Sequence, residues 1–224
     1  MSTEQQTPLH LEVLPADTRR ALETFSQMTL FRGGGWFLAG GTALALQVGH
    51  RQSVDLDFFT QEGDFDRLKL EAALLKTREW DTTSATTGTL YGEYAGAKAS
   101  FIAYPFFTPS GTFIRFGTVK ILPSEDIATM KIIALSQRGR KRDFIDLYWY
   151  VQNREPLIDI FRRVQKHYPT KKLNRQHLIN SLTYFADAEN DPMPTLLFDA
   201  TWENIKKYFQ HEAVKLAKEL LGLE

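Results

Sequence analysis

The spacing of hydrophobic residues in the first part of the chain changes between a helical and a strand period, and this predicts four elements. Residues 9–29 have apolar positions at helical spacing behind Pro15, which predicts a leading helix. Residues 36–39 are a short apolar run typical of a buried strand, and residues 54–60 alternate as a half-buried strand does. A helix over residues 43–48 separates the two strands.

The following stretch predicts one more helix and several strands. Residues 65–78 have helical spacing, and we expect Leu68, Leu74 and Leu75 to face inward. Three regions have the alternation and the turn residues of strands: 82–96, 98–104 and 113–122. Together with the two earlier strands they predict a mixed region of about five strands.

From residue 124 onward the pattern is helical. One helix is predicted to begin there, and a second one at Asp143, which would act as its N-cap. Helical spacing continues to the carboxyl end and is interrupted by prolines. This order of elements predicts an α+β protein with two domains, residues 1–122 and residues 123–224.

The composition of the 224 residues fits a folded protein and excludes several classes of function. Apolar residues make up 43% of the chain and aromatic residues 12%, which is enough for a hydrophobic core. The absence of cysteine excludes disulfides, thiol catalysis and thiolate metal sites. No apolar stretch approaches the roughly 18 residues of a membrane span, and the polar residues 1–8 lack the pattern of a signal peptide. We therefore expect a cytoplasmic protein without a membrane segment.

The charge is balanced overall but unevenly distributed. Lys and Arg number 27, as do Asp and Glu, which argues against indiscriminate binding to polyanions. Residues 113–175 nevertheless contain 14 Lys and Arg against 6 Asp and Glu. Within this window a short basic run offers candidates for RNA contact, with a solvated loop as the alternative: Arg138, Arg140, Lys141 and Arg142.

Two glycines between the first strand and the following helix predict a site for an anion. Gly40 and Gly41 precede Thr42 at this turn, and glycine permits both unusual dihedral angles and the close approach of a ligand. Backbone amides at the start of the helix point outward with the positive end of the helix dipole, which suits phosphate. Such turns are common, so the motif by itself does not establish a phosphate site.

Two carboxylates follow on the next predicted strand. Asp55 and Asp57 are two positions apart and face the same side of a strand, while Val54, Leu56 and Phe58 would face the core. Paired oxygen ligands of this kind suit Mg²⁺ with a triphosphate substrate. The alternative is the polar solvent face of an edge strand. The glycine turn a short distance upstream favours a site, because the helix start and the carboxylates can converge.

Gly40, Gly41 and Thr42 are thus followed by Arg51 and Ser53 and then by the two carboxylates. This segment resembles the nucleotidyltransferase superfamily and, more narrowly, the AbiEii/AbiGii toxin branch of abortive-infection and type IV toxin–antitoxin pairs. The resemblance implies a minimal nucleotidyltransferase fold, a small mixed sheet with flanking helices, over residues 1–122 and a helical domain over residues 123–224. It also implies transfer of a nucleotide from an NTP to an acceptor such as tRNA or another RNA, and a cognate antitoxin as a partner.

The resemblance assigns roles to these residues. It implies that Asp55 and Asp57 bind Mg²⁺ or Mn²⁺ and take part in catalysis. Nucleotide contacts are implied for Gly40, Gly41, Thr42, Arg51 and Ser53.

A second group of residues carries the same resemblance. Lys131 lies among apolar neighbours, so its stem is expected to be buried and its ammonium to need a partner. In the toxin branch a lysine on one helix is followed by D-x-x-D on the next, matched here by Asp143 and Asp146. The implied roles are charge neutralisation on the triphosphate by Lys131 and positioning, or help to the attacking hydroxyl, by Asp146. An ion pair between Lys131 and Asp146 that pins two helices together is an alternative compatible with these roles.

The pattern departs from the superfamily at one place. Many nucleotidyltransferases have a third carboxylate on a later strand, and the alternation of residues 98–104 puts Ser100 at that position. The absence of this acid makes a two-metal mechanism doubtful. A catalytically weak or inactive nucleotide-binding or protein-interaction module of the same fold is therefore the alternative function.

Overall fold

The computed structural model of the chain describes residues 8–33 and 35–222 and divides into two compact units, Met1–Ser124 and Glu125–Glu224. Most of the polar amino terminus on which the signal-peptide expectation rests lies outside the described residues, as does Gly34. Among the helices that are described, none is long and apolar enough to cross a membrane.

The first unit combines short helices with one mixed sheet. After a 3₁₀ turn (Leu11–Val13), its helices are α1 (Ala16–Phe25), α2 (Leu30–Gly33), α3 (Gly40–Val48) and α4 (Arg67–Leu75). Its strands are β1 (Phe37–Ala39), β2 (Leu56–Thr60), β3 (Trp80–Thr86), β4 (Thr89–Tyr94), β5 (Ala97–Ala103), β6 (Ile114–Phe116) and β7 (Val119–Ile121). Over the described ranges the strands pair in the order β3-β4-β5-β2-β1-β7-β6. β2 is antiparallel to β1 and parallel to β5, and β1 is parallel to β7.

One face of this sheet forms the core of the first unit. In β2, Leu56 and Phe58 are fully buried, whereas Asp57 and Phe59 between and after them are half-buried. Phe58 stacks on Phe101 of β5 with ring centroids 5.2 Å apart, and Phe31 of α2 covers Phe58 at 4.7 Å. Because side chains alternate along a strand, the opposite face of the sheet carries Asp57.

The structure corrects several predicted elements of the first unit. The single leading helix is wrong, because Pro15 separates the 3₁₀ turn from α1 and acts as the N-cap of α1. The single strand over residues 113–122 is wrong as well, because Gly117 adopts a positive φ of 57° and turns the chain into the β6–β7 hairpin. On α4, Leu70 and Leu74 share the buried face at i and i+4.

The inward positions expected on α4 are therefore only partly correct. Leu74 is buried as predicted, but Leu68 and Leu75 are exposed.

The second unit is helical. Its helices are α5 (Ser124–Gln137), α6 (Lys141–Asn153), α7 (Leu157–His167), α8 (Arg175–Ser181), α9 (Ala186–Glu189) and α10 (Trp202–Leu221). Phe144 of α6 lies at the centre of its core, with ring contacts to three aromatic residues at 5.1–5.7 Å: Phe185, Trp202 and Phe209.

Candidate active site

The predicted glycine turn and the predicted carboxylate strand meet in the first unit. β1 ends at Ala39, and α3 begins at once with Gly40, whose φ of +72° is in the left-handed region that favours glycine. Ala39 and Asp57 are directly opposite each other in the antiparallel β1–β2 pair. A Cβ atom on Gly40 would lie 3.1 Å from Oδ2 of Asp57. The absence of a side chain at Gly40 therefore leaves room for the Asp57 carboxylate at the start of α3.

Asp57 is held from its other side by a serine. Asp57 and Ser100 are neighbours in the parallel β2–β5 pair, and Ser100 Oγ donates a hydrogen bond to Asp57 Oδ1 at 2.6 Å. The alternation of residues 98–104 correctly placed Ser100 beside the carboxylates. The sequence reasoning treated Ser100 only as the position of an absent acid and did not find this hydrogen bond. A hydrogen bond to a carboxylate orients it.

Asp55 lies next to this strand rather than within it. β2 begins at Leu56, so the predicted inward orientation of Val54 is wrong, and Val54 is exposed. Both Asp55 and Asp57 are half-buried. The segment that carries Asp55 is fixed at its backbone, because the hydroxyl of Thr42 donates to the carbonyl oxygen of Asp55.

Three of the residues expected to contact a nucleotide form a buried network. Thr42 Oγ1 and Ser53 Oγ are 2.8 Å apart, and Arg51 donates to Ser53 Oγ at 3.2 Å and to the carbonyl of Gln52 at 2.9 Å. All three side chains are buried. This network joins the first turn of α3 to the segment before β2, and a direct contact of these side chains with a nucleotide stays a prediction.

Lys131 forms a buried ion cluster in the second unit. Its Nζ atom lies 2.6 Å from Asp143 Oδ1 and 2.6 Å from Asp146 Oδ2. The exposed fractions are 5% for Lys131, 2% for Asp143 and 0% for Asp146. The ion pair predicted between Lys131 and Asp146 is therefore present, and it links α5 to α6.

The predicted N-cap role of Asp143 is wrong. α6 begins two residues earlier, with Arg140 at the N-cap position, so Asp143 lies in the first turn and turns inward to Lys131. The other oxygen of Asp143, Oδ2, is buried and has no hydrogen-bond partner within residues 8–33 and 35–222.

The basic run before α6 divides into exposed and buried side chains. Arg138, Arg140 and Arg142 are exposed, and Arg140 forms an ion pair with Asp191 at 2.8 Å. Lys141 is buried instead. Its ammonium donates to the carbonyl oxygens of Glu189 and Asp191 at 3.1 and 2.5 Å and lies 5.3 Å from the Trp202 ring centroid. Lys141 therefore drops out of the candidates for RNA contact, since its charge is used to hold the segment after α9.

The donor set in the first unit suits one divalent cation. Among the residues that the structure describes, no three His, Asp or Glu side chains cluster in a way that could hold a metal ion. Mg²⁺ is commonly bound by one or two carboxylates together with the phosphates of a substrate, and Asp55 and Asp57 supply that number. Asp57 is half-buried beside the start of α3, whose first amides suit the phosphates of such a substrate.

Comparison with solved structures defines the class of protein to which this fold belongs. MenT4, a nucleotidyltransferase toxin of Mycobacterium tuberculosis, is similar with a TM-score of 0.53 and 16% identity over 90% of this chain and 86% of that one. An H. pylori protein described as a nucleotidyltransferase has a TM-score of 0.52 and 18% identity over 100% of this chain and 99% of that one. The fold is thus that of the nucleotidyltransferases.

Sequence comparison narrows the class to a family. The profile described as nucleotidyl transferase AbiEii toxin, type IV TA system, matches residues 22–87 and 98–217, and the chain belongs to this family. An uncharacterized protein of Aquifex aeolicus (strain VF5) is 31% identical over 204 residues, which are 89% of this chain and 95% of that protein.

Proposed function

We propose that the protein is a metal-dependent nucleotidyltransferase toxin that transfers a nucleotide from an NTP to an acceptor RNA such as tRNA. The observation that carries this proposal is the convergence of Gly40, Asp57 and Ser100 at the start of α3. Family membership and the toxin fold of MenT4 support it.

Asp55 and Asp57 would hold Mg²⁺ or Mn²⁺. A bound divalent cation at this position would neutralise negative charge on the phosphates of the NTP. Ser100 keeps Asp57 oriented through its hydrogen bond, and Thr42 fixes the backbone at Asp55. These contacts supply the positioning that phosphoryl and nucleotidyl transfer chiefly require.

The first turn of α3 would bind the phosphates. α3 is nine residues long, and its first amides belong to Gly40, Gly41 and Thr42. Amides at a helix start point along the axis toward an incoming anion and add the positive end of the helix dipole. Ser53 supports this turn through its hydrogen bond to Thr42, and Arg51 donates to Ser53.

Lys131 and Asp146 enter the proposal as a positioning pair. The ammonium of Lys131 is already shared between two carboxylates, so its first effect is to fix α5 against α6. A direct contact between Lys131 and the triphosphate stays a prediction, as does help from Asp146 to the attacking hydroxyl.

RNA and an antitoxin are the proposed macromolecular partners. The exposed Arg138, Arg140 and Arg142 offer positive charge to an RNA backbone. A cognate antitoxin protein follows from membership in a type IV toxin–antitoxin family.

The proposal is tested by incubating the purified protein with Mg²⁺, each of the four labelled NTPs and a tRNA pool, and by measuring label in RNA. We expect transfer from at least one NTP and its loss in Asp57→Ala. Leu68→Ala, an exposed position on α4, is the matched control that should transfer as the wild type does.

The second candidate function is a nucleotide-binding module without catalysis. The observation that favours it is Ser100, a hydroxyl at the position of the third acid, which leaves two carboxylates for the metal. Nucleotide binding without transfer from any NTP to any RNA of the pool would contradict the enzyme and support this module.

A further inference from the structure

A row of aromatic rings lies on the same sheet face as Asp57. Phe59 follows Asp57 by two positions on β2, so both side chains leave the same face, with Cα atoms about 6–7 Å apart. Phe37 of β1 stacks on Phe59 with centroids 6.2 Å apart and planes at 26°. Phe113 lies 5.6 Å from Phe37, and Tyr104 lies 5.8 Å from Phe59. We call these four residues the aromatic strip.

Three of the four rings of the aromatic strip are partly exposed, and the fourth is buried. Phe37 is buried, whereas Phe59, Tyr104 and Phe113 are half-buried. The core of the first unit lies on the other face of the sheet, with Phe58 and Phe101. The strip therefore presents ring surface that the core does not use.

Positive charge flanks the aromatic strip. Lys120 of β7 has its Nζ atom 5.8 Å from the Phe113 ring centroid. Ile121, the next residue, is buried beside Leu38 on the core face, so Lys120 leaves the face that carries Phe37. Arg115 of β6 is exposed and lies opposite Lys120 in the strand register of the β6–β7 hairpin. Aromatic rings beside Lys and Arg are the usual surface for unpaired nucleotides, which offer bases to the rings and phosphates to the cations.

The direction of β1 relates the aromatic strip to the reaction. β1 runs from Phe37 at the strip to Ala39, where α3 begins and the phosphates of the NTP are proposed to bind. Asp57 is opposite Ala39, and the strip begins two residues further along β2. In nucleotidyl transfer the attacking and leaving oxygens are roughly in line, so the acceptor approaches from the side away from the leaving diphosphate. On this account the strip lies on that side, because the β1–β2 pair carries Phe37 and Phe59 away from the start of α3.

We infer that the aromatic strip binds the unpaired 3′-terminal nucleotides of the acceptor RNA, with bases stacked on Phe59 and Phe113 and phosphates contacted by Lys120 and Arg115. This inference rests on the proposed function for the identity of the acceptor. In this inference the sheet face places the 3′ end of the RNA beside the carboxylates. Its chemistry is sequence-tolerant, because every base has a face that can stack.

Fluorescence anisotropy tests the inference without catalysis. The probes are a labelled RNA hairpin with about four unpaired 3′ nucleotides and the same hairpin with a blunt end. We expect Phe113→Ala to raise the Kd for the extended hairpin about 10-fold, the loss of one stacked base. Its Kd for the blunt hairpin and for a non-hydrolysable NTP with Mg²⁺ should change less than about twofold. Phe113→Trp should restore the affinity for the extended hairpin.

Leu68→Ala is the control, since Leu68 is an exposed apolar residue on α4 and does not belong to the strip. The inference is overturned if Phe113→Ala binds the extended hairpin as tightly as the wild type does, or if the wild type does not prefer it over the blunt one. It is also overturned if NTP binding weakens by the same factor, because the strip would then hold the base of the NTP.

Failure of the proposed function has a different signature. If the wild type transfers no nucleotide but Phe113→Ala weakens binding of the extended hairpin, the proposed RNA binding by the strip holds and the proposed transferase activity is contradicted. If Phe113→Ala transfers nucleotide with an unchanged KM for RNA, the proposed transferase activity holds and the proposed RNA binding by the strip is contradicted.

Discussion

Two groups of aspartates in this chain have the same residue type and opposite surroundings. Asp57 in the first unit is half-buried, accepts a hydrogen bond from Ser100 at Oδ1, and has Oδ2 next to Gly40. Asp143 and Asp146 in the second unit are buried and share the ammonium of Lys131 at 2.6 Å each. The first carboxylate is partly exposed at the start of α3, whereas the second pair is buried around one ammonium.

We propose that this difference separates a ligand site from a structural cluster. A carboxylate that binds a cation needs some solvent access, which the half-buried Asp57 has. Buried charges that are paired to one another instead make the structure depend on all members of the group. The sequence resemblance assigned both groups to the site, so residue type alone does not distinguish them.

Removing the charge of Lys131 has the largest expected effect on stability. Lys131→Met removes the ammonium that two buried carboxylates share, which should lower the free energy of unfolding by about 3–5 kcal/mol. Urea denaturation followed by circular dichroism measures this change. Lys215→Met is the control, because Lys215 pairs with Glu212 at an exposed position and should contribute less than about 1 kcal/mol. A stable Lys131→Met protein that has lost transfer would place Lys131 in the reacting group and break the comparison.

Adding a methyl group at Gly40 should disturb the carboxylate site and cost less stability. Gly40→Ala forces an L-residue into a φ of +72°, at a cost of about 1–2 kcal/mol, and places a Cβ 3.1 Å from Asp57 Oδ2. We expect the affinity for a Mn²⁺–NTP analogue to fall about 10-fold, measured by calorimetry, since a displaced carboxylate loses its supported geometry.

Gly222→Ala supplies the matched control for this experiment. Gly222 ends α10 with a φ of +66°, and nothing lies within 4 Å of its Cβ position. Gly222→Ala should lower the free energy of unfolding by a similar amount and leave the affinity for the Mn²⁺–NTP analogue unchanged. Equal loss of binding in both variants would show that strain, rather than crowding of Asp57, is responsible.

Removing the hydroxyl that supports Asp57 sharpens the comparison further. Ser100→Ala deletes the 2.6 Å hydrogen bond to Oδ1. Loss of a side chain that orients a metal ligand typically lowers the affinity for the metal by about 10-fold or more, and we expect that change for Mn²⁺. Ser100→Thr keeps a hydroxyl and should retain most of the affinity. Unchanged binding in Ser100→Ala would mean that the Asp57 carboxylate does not need this support.

A half-buried ion pair in the second unit predicts the smallest effect, a dependence of stability on pH. Burial acts to raise the pKa of Glu155, but hydrogen bonds from Arg163 and Tyr150 and the guanidinium charge outweigh it, so the pKa is below its usual value. A carboxyl whose pKa is lower in the folded state stabilises the protein above its ordinary pKa. That stability is lost as the pH falls through the lowered value.

Thermal unfolding between neutral pH and about pH 3 measures this contribution. The difference in Tm between the wild type and Glu155→Gln should shrink as the pH falls. A difference that stays constant over this range would contradict the assignment of the pKa shift to the folded protein.

Local patterns in the sequence were sufficient for much of the fold. The convergence of the glycine turn with the carboxylates was predictable because few residues separate β1 from β2, and antiparallel neighbours then place Ala39 beside Asp57. The β6–β7 hairpin was missed because its turn depends on the positive φ of one glycine inside a continuous apolar pattern.

Contacts between distant parts of the sequence account for what was missed at the site. Lys141 looked like part of a solvated basic loop, but its partners Glu189 and Asp191 lie 48 and 50 residues away. The hydrogen bond from Ser100 to Asp57 joins residues 43 apart and depends on the parallel β2–β5 register. Asp143 was misplaced because the start of α6 is two residues earlier than its capping pattern indicated.

The central claim is that the carboxylate beside Gly40, and not the buried cluster around Lys131, holds the metal and its nucleotide. Its most direct test is the binding of Mn²⁺ in the presence of a non-hydrolysable NTP, measured by electron paramagnetic resonance in the wild type, Asp57→Asn and Asp81→Asn. Asp81 is an exposed aspartate on β3 of the same sheet. We predict that the affinity for Mn²⁺ falls about 100-fold or more in Asp57→Asn, which is a larger loss than in Ser100→Ala. The affinity should not change in Asp81→Asn. Wild-type affinity in Asp57→Asn would contradict the account.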